Sequence, residues 1–281
     1  MSKLRDILSL IKFSHSIFAL PFALASMLVG AEGIPPLKTI LLIIAAMVFA
    51  RSAAMSFNRW ADAIIDAKNP RTRIREIPQG KLKRQSVLNL TLLFSVLFIV
   101  TTFFINRLCF FLSPVALFII FFYSMTKRWT SLSHLFLGLS LGVAPIGAWI
   151  AVTGEWSWIP VVLGLAVLFW VAGFDIIYAT QDLEFDKTEG LHSLVVRLGL
   201  KESLFLSRVF HGVALLFFVL FGMIGHLGLI YFVTILGIGF FLTYEHSLVK
   251  PEDLSHVNAA FFTMNGIVSI LFLVGTVLSR L

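Results

Sequence analysis

Residues 54–80 read AMSFNRWADAIIDAKNPRTRIREIPQG. The stretch begins as the tail of an apolar run, turns acidic, and at once turns basic. Asn58, Asp62 and Asp66 recur every fourth residue, and Arg71, Arg73 and Arg75 follow. A helix that leaves hydrocarbon for water has this form, because the bilayer core does not accept such a density of charge. The residues upstream, TILLIIAAMVFARSAAMSF, are the matching span.

The rest of the chain agrees with that reading. Its 281 residues are 58% hydrophobic and 13% charged, with a mean hydropathy of +0.95. A soluble domain is nearer to about half apolar and about a quarter charged. In lipid the backbone must satisfy its own polar groups, so spans are helices or a closed barrel. The apolar runs are long and unbroken rather than alternating, which selects helices. Nine segments approach the ~20 residues a span needs: 14–31, 39–57, 87–105, 109–125, 132–152, 158–178, 203–223, 227–246 and 258–278.

Charge sets the topology. The net charge of +7 raises nucleic acid as a partner, but the cations fall on one side of the predicted membrane. The N-terminus and the exits of the even-numbered spans carry 18 of the 22 Lys and Arg, against 3 on the other side and Arg51 inside a span. Positive-inside bias therefore predicts a cytoplasmic N-terminus and explains the charge without nucleic acid. The basic start, MSKLRDILSLIKFSHS, precedes no small-residue cleavage site and is read as leading into a retained helix. With one cysteine, Cys109, no intrachain disulfide is possible, and Cys109 is read as a small core residue. The expected fold is thus all-α: a polytopic inner-membrane protein of nine transmembrane helices, one domain over 1–281, with cytoplasmic cap loops at about 59–85 and 180–202.

Each long loop starts on an acidic cluster. Asn58, Asp62 and Asp66 share a helix face, and Tyr178, Asp182 and Asp186 repeat the spacing at the end of the sixth span. Paired hard oxygens suit Mg²⁺, which keeps waters and shares itself with substrate phosphates. Two such clusters facing each other would hold a diphosphate, with Lys127, Arg128, Arg71, Arg73 and Arg75 neutralising the rest of its charge. The plain alternative is two solvated helix ends. Their duplication on one membrane face, each before a long loop, favours the metal reading. Arg51 and Asp175 lie seven residues before Asn58 and Asp182, about 10 Å deeper at helical rise. Charge at that depth is a functional hypothesis by default. Arg51 suits an anionic acceptor and Asp175 the reacting centre, unless the two pair as structural glue.

These residues resemble the UbiA superfamily of intramembrane prenyltransferases over nearly the whole chain: FSHSIFALPFAL in the first span, ARSAAMSFNRWADAIIDAKNPRTRIREIPQG at the second, YSMTKRWT after the fourth and GFDIIYATQDLEFDKTEGLHSLVVRLG after the sixth. The family's first motif, N-D-x-x-D-x-x-x-D, reads here with Arg59 at its second position. The resemblance implies a nine-helix bundle around a central cavity open to lipid. It implies transfer of a polyprenyl group from polyprenyl diphosphate to an aromatic acid, as in the bacterial 4-hydroxybenzoate enzymes or those that prenylate a dihydroxynaphthoate in menaquinone synthesis. Asn58, Asp62, Asp66, Asp182 and Asp186 would then hold Mg²⁺ on the diphosphate. Lys127, Arg128, Arg71 and Arg75 would contact phosphate. Ionisation would leave an allylic cation in a dry cavity, with Asp175 or Tyr178 shaping or assisting removal of the ring proton.

Most of the 29 Phe are read as packing or lipid-facing, with Phe57 and Phe174 near enough to the aspartates to stabilise a cation. Gly138-Leu-Ser-Leu-Gly142 reads as close helix packing. His15, His134, His192, His211 and His226 show no metal spacing and are read as structural or solvated, and His246 and His256 as interfacial. Three rivals remain: a transporter or proton channel, which lacks the expected inverted repeat of broken helices; a scaffold, which needs no such polar mouth; and prenyltransferases acting on haem, chlorophyllide or homogentisate.

Overall fold

The computed structural model describes residues 3–11 and 18–280. The start of the first expected span, with Lys12 and His15, lies outside them. Among the described residues eight helices are long and apolar enough to cross a membrane. The ninth expected segment is present as the shorter apolar helix Leu20–Gly30. No strand forms among the described residues beyond one isolated bridge, Lys250 to Asp253. In chain order the helices are α1 Lys3–Ile11, α2 Leu20–Gly30, α3 Leu37–Ala61, α4 Ala63–Lys68, α5 Arg84–Ile105, α6 Arg107–Thr126, α7 Ser133–Thr153, α8 Ile159–Ala179, α9 Leu183–Thr188, α10 Leu194–Leu198, α11 Leu200–Ile224, α12 Leu229–Leu248 and α13 Asn265–Arg280.

The outward faces are apolar: Phe111 is 70% exposed and Leu236 77%. Surfaces of that kind need lipid as their solvent, and the chain is a multi-pass membrane protein.

The chain divides into two compact units. The first comprises residues 1–16 and 37–125. Here α3 packs on α5 around Ala46, Ala53, Phe98 and Leu117. The amphipathic α1 buries Leu10 and Ile11 against Leu82 and Val87, a short surface helix that hydropathy alone does not announce.

The second unit comprises residues 17–36 and 126–281. Its axis is α8, 61% buried over its most apolar window against 22% for α3. Trp170 is fully enclosed, and Phe22 packs on it at 4.9 Å and on Phe272 at 4.8 Å between ring centroids. The expected glycine seam is real. A Cβ on Gly138 would strike the Leu168 carbonyl oxygen, and one on Gly142 would lie 2.5 Å from that of Gly164. Glycine lets the α7 and α8 backbones touch there, as small residues do between membrane helices.

Two buried polar groups shape the far side of this unit. Asn265 Nδ2 donates to Glu245 Oε1 at 2.9 Å and to the carbonyls of Ala260 and Phe261 at 3.2 Å each. Those carbonyls belong to a π-helical turn, Ala259–Met264, that leads into α13. His246, in the last turn of α12, has a packing partner that sequence reading did not foresee: its Nε2 lies 3.0 Å from His211 Nδ1 of α11.

Candidate active site

In the first unit the helical path survives its own break. α3 ends at Ala61, Asp62 is a turn residue, and α4 starts at Ala63. The bonds from Asp62 N to Asn58 O (2.9 Å) and from Asp66 N to Asp62 O (2.8 Å) nevertheless keep the four-residue repeat. Asn58, Asp62 and Asp66 therefore follow one another along a stripe, as the sequence predicts. Asn58 Nδ2 donates to Asp62 Oδ2 at 3.3 Å and to Ser124 Oγ of α6 at 3.4 Å. Asp62 and Asp66 are 2% and 3% exposed. Carboxylates that deep need compensating partners.

For Asp66 the partner is Arg75, whose Nη1 reaches both carboxylate oxygens, at 2.7 and 2.8 Å. The Asn69–Pro70 turn makes this possible. Asn69 before proline is extended (φ −78°, ψ 121°), which stops α4. Its Oδ1 accepts from Arg71 N at 2.8 Å, and Thr72 Oγ1 donates back to the Asp66 carbonyl at 3.2 Å. The chain thus folds back and brings Arg75 over Asp66. Arg59, at the motif's second position, is buried, with Nε and Nη1 lacking hydrogen-bond partners. Arg51 Nε likewise lacks one.

In the second unit the repeat changes character. α8 stops at Ala179, a 3₁₀ turn covers Thr180–Asp182, and α9 begins at Leu183. Tyr178, Asp182 and Asp186 are therefore not on one regular α-helix, contrary to the sequence expectation. Asp182 and Asp186 are half-buried, whereas Glu184 faces water and pairs with Lys187 at 3.2 Å. Tyr178 rests on Phe261 of the π turn, ring centroids 4.2 Å apart. Phe261 also meets Phe174 at 5.2 Å and Phe18 at 5.6 Å, so an aromatic wall adjoins Tyr178.

Lys127 and Arg128 lie in the loop after α6. The loop is stitched to the segment before α10 by His192 N donating to the Lys127 carbonyl at 2.7 Å, and Arg197 Nη1 reaches Ser131 Oγ at 3.5 Å. Asp175 Oδ2 lies 2.6 Å from Nδ1 of His134 on α7. Sequence reading missed His134 as a partner. The available signal was a histidine in the first turn of an apolar span, four residues before the glycine seam.

All five motif side chains offer oxygen donors, the chemistry of a hard divalent cation. Among the described residues no group of three His, Cys, Asp or Glu converges to enclose a metal. Two carboxylates per motif leave coordination positions for phosphate oxygens and water, as Mg²⁺ prefers. The residues present fit that ion.

Comparison with known proteins gives the following. The family model described as the UbiA prenyltransferase family matches residues 19–267. The 4-hydroxybenzoate octaprenyltransferase of Vibrio campbellii is 29% identical over 254 residues, 90% of this chain and 89% of that protein. That of Vesicomyosocius okutanii is 27% identical over 258 residues, 90% and 92%. Among solved structures, the apo UbiA homolog of Aeropyrum pernix K1 superposes with a TM-score of 0.86 at 32% identity, covering 95% of this chain and 98% of that one. A UbiA homolog of Archaeoglobus fulgidus bound to GPP and Mg²⁺ has the same fold, with a TM-score of 0.78 at 21% identity over 98% and 99%.

Proposed function

The chain belongs to the UbiA prenyltransferase family, and from that premise we propose that it transfers a polyprenyl group from polyprenyl diphosphate to the ring of 4-hydroxybenzoate, in ubiquinone biosynthesis. The observation that carries this reading is similarity along almost the full chain to proteins named 4-hydroxybenzoate octaprenyltransferase. The membrane is the inner one, with the N-terminus and both motifs on the cytoplasmic side, which is the reading the cation bias supports.

Asn58, Asp62 and Asp66 of the first unit and Asp182 and Asp186 of the second are the proposed Mg²⁺ ligands. The Archaeoglobus homolog of the same fold was captured with GPP and Mg²⁺, which supports that assignment. The ion, when bound, neutralises charge on the departing diphosphate. The chain's own cations add to this. Lys127, Arg128, Arg71 and Arg75 are the proposed phosphate contacts; Arg75, which holds Asp66 here, would be available for phosphate where Asp66 served as a metal ligand.

Loss of diphosphate leaves an allylic cation, and the apolar span interiors keep water from it. The aromatic faces of Phe174 and Phe261, beside Tyr178, suit a cation and an apolar chain. Arg51, with an unpartnered Nε, is the proposed contact for the acceptor carboxylate. Asp175 and Tyr178 are placed by this reading at the reacting carbon.

The test is acceptor competition. Purified protein with geranyl diphosphate and equimolar 4-hydroxybenzoate and 1,4-dihydroxy-2-naphthoate should yield prenylated hydroxybenzoate by mass spectrometry. Product on the naphthoate alone would move the enzyme to menaquinone synthesis. Product on neither would remove the aromatic-acid reading.

A further inference from the structure

His134 and Asp175 meet within the second unit in an unusual order. In the familiar carboxylate–histidine arrangement the imidazole faces the reactant and the carboxylate stands behind it. Here the exposures are reversed: the His134 side chain is 3% exposed and that of Asp175 is 23%. The carboxylate is presented and the imidazole is enclosed.

The pair is not needed to join its helices. α7 and α8 already touch backbone to backbone at Gly138 and Gly142. Nor does His134 serve a wider polar network. Its Nε2 is buried with no hydrogen-bond partner, and its one side-chain bond among the described residues is the 2.6 Å contact to Asp175. An imidazole with one orphan nitrogen costs free energy that an apolar side chain would not. What the imidazole adds over leucine is a donor aimed at Asp175 Oδ2. A carboxylate only accepts, so His134 Nδ1 carries the proton. One carboxylate oxygen is thereby fixed, while the Asp175 side chain as a whole stays 23% exposed.

Depth agrees with a role at the acceptor. Asp175 precedes Asp182 by seven residues, about 10 Å at helical rise. If Asp182 holds the diphosphate through its metal, the allylic carbon and then the attacking ring lie on the way to that depth.

We propose that Asp175 is the base that removes the ring proton and that His134 is its positioning residue. This rests on the aromatic prenyltransferase reading above. In the step, the allylic carbon loses its bond to diphosphate, which leaves with the electron pair. A ring carbon beside the acceptor hydroxyl forms the new carbon–carbon bond. The C–H bond at that carbon then breaks, its electrons restore the aromatic ring, and the proton goes to the oxygen of Asp175 that His134 does not hold.

The test compares 4-hydroxybenzoate with its ring-deuterated form, using geranyl diphosphate and full-length protein in detergent. The wild type is expected to show no deuterium effect, because proton loss from the charged ring is fast. His134→Leu should lower kcat about ten- to hundredfold, leave KM for the donor within about twofold, and raise the deuterium effect to about 2 or more, since proton removal then limits the rate. His134→Gln, which keeps an N–H donor, should recover most of kcat. Asp175→Asn should show the largest loss and the same isotope effect, and it decides the matter if His134→Leu does not fold. A deuterium effect that stays at one in Asp175→Asn, or wild-type kcat in His134→Leu, overturns the proposal. A wild type that prenylates no aromatic acid instead overturns the reading beneath it.

Discussion

Arg75 holds Asp66 by both carboxylate oxygens, at 2.7 and 2.8 Å, in the chain reversal that follows the first motif. Asp66 is only 3% exposed, so without metal the guanidinium is its counter-charge. Removing it by Arg75→Ala leaves a buried carboxylate short of a partner, which costs about 1–3 kcal/mol. The detergent-solubilised protein should melt about 2–8 °C lower. Mg²⁺ with geranyl diphosphate should return most of that loss, because the metal then supplies the missing positive charge. Stabilisation by Mg²⁺ that is the same in variant and wild type would detach Asp66 from the metal.

The seam between α7 and α8 gives a prediction with an internal control. A side chain at Gly142 meets the Gly164 carbonyl, whereas one at Gly147 meets nothing within 4 Å. Backbone cannot move aside as a side-chain tip can, so overpacking here costs at least the usual ~1–3 kcal/mol. Gly142→Leu should lower the thermal midpoint by several degrees and reduce yield, while Gly147→Leu on the same helix should change neither. Equal behaviour of the two in a detergent thermal-shift assay would contradict the close contact.

Much of this fold was legible in the chain because the signal is direct. Where lipid is the solvent, a span is a run of apolar residues: 39–57 was expected and Leu37–Ala61 forms. The spacing of Asn58, Asp62 and Asp66 also carried through, since backbone bonds keep the repeat across the turn. The corresponding repeat at Asp182 did not, because the α8 end tightens to a 3₁₀ turn and local hydrogen bonding there leaves no mark on residue periodicity. The His134–Asp175 bond was hidden for a different reason. It depends on the register of α7 against α8, which the glycine seam sets and a single sequence does not display. The π turn was hidden as well, though Glu245 and Asn265, polar residues within apolar spans, were its trace.

That trace supports a further prediction. Asn265→Leu removes the amide whose two N–H groups reach three acceptors, Glu245 and the carbonyls of Ala260 and Phe261. It strands a fully buried acid and frees the π turn that carries Phe261 against Tyr178. Glu245→Gln keeps an oxygen that can accept from Asn265. Thermal unfolding should therefore fall well below wild type in Asn265→Leu and remain near it in Glu245→Gln. The reverse order would show that the carboxyl's ionic form, rather than its bond to Asn265, holds the turn.

The central claim is that both aspartate motifs bind the diphosphate of a prenyl donor through Mg²⁺. Its most direct measurement is prenyl transfer from labelled geranyl diphosphate to 4-hydroxybenzoate by the purified protein, with Mg²⁺ or with chelator, alongside Asp62→Ala and Asp182→Ala. The account predicts product only with Mg²⁺ in the wild type, and a loss of about a hundredfold or more in each variant while its size-exclusion profile stays unchanged. Product that survives chelation and both substitutions would contradict it.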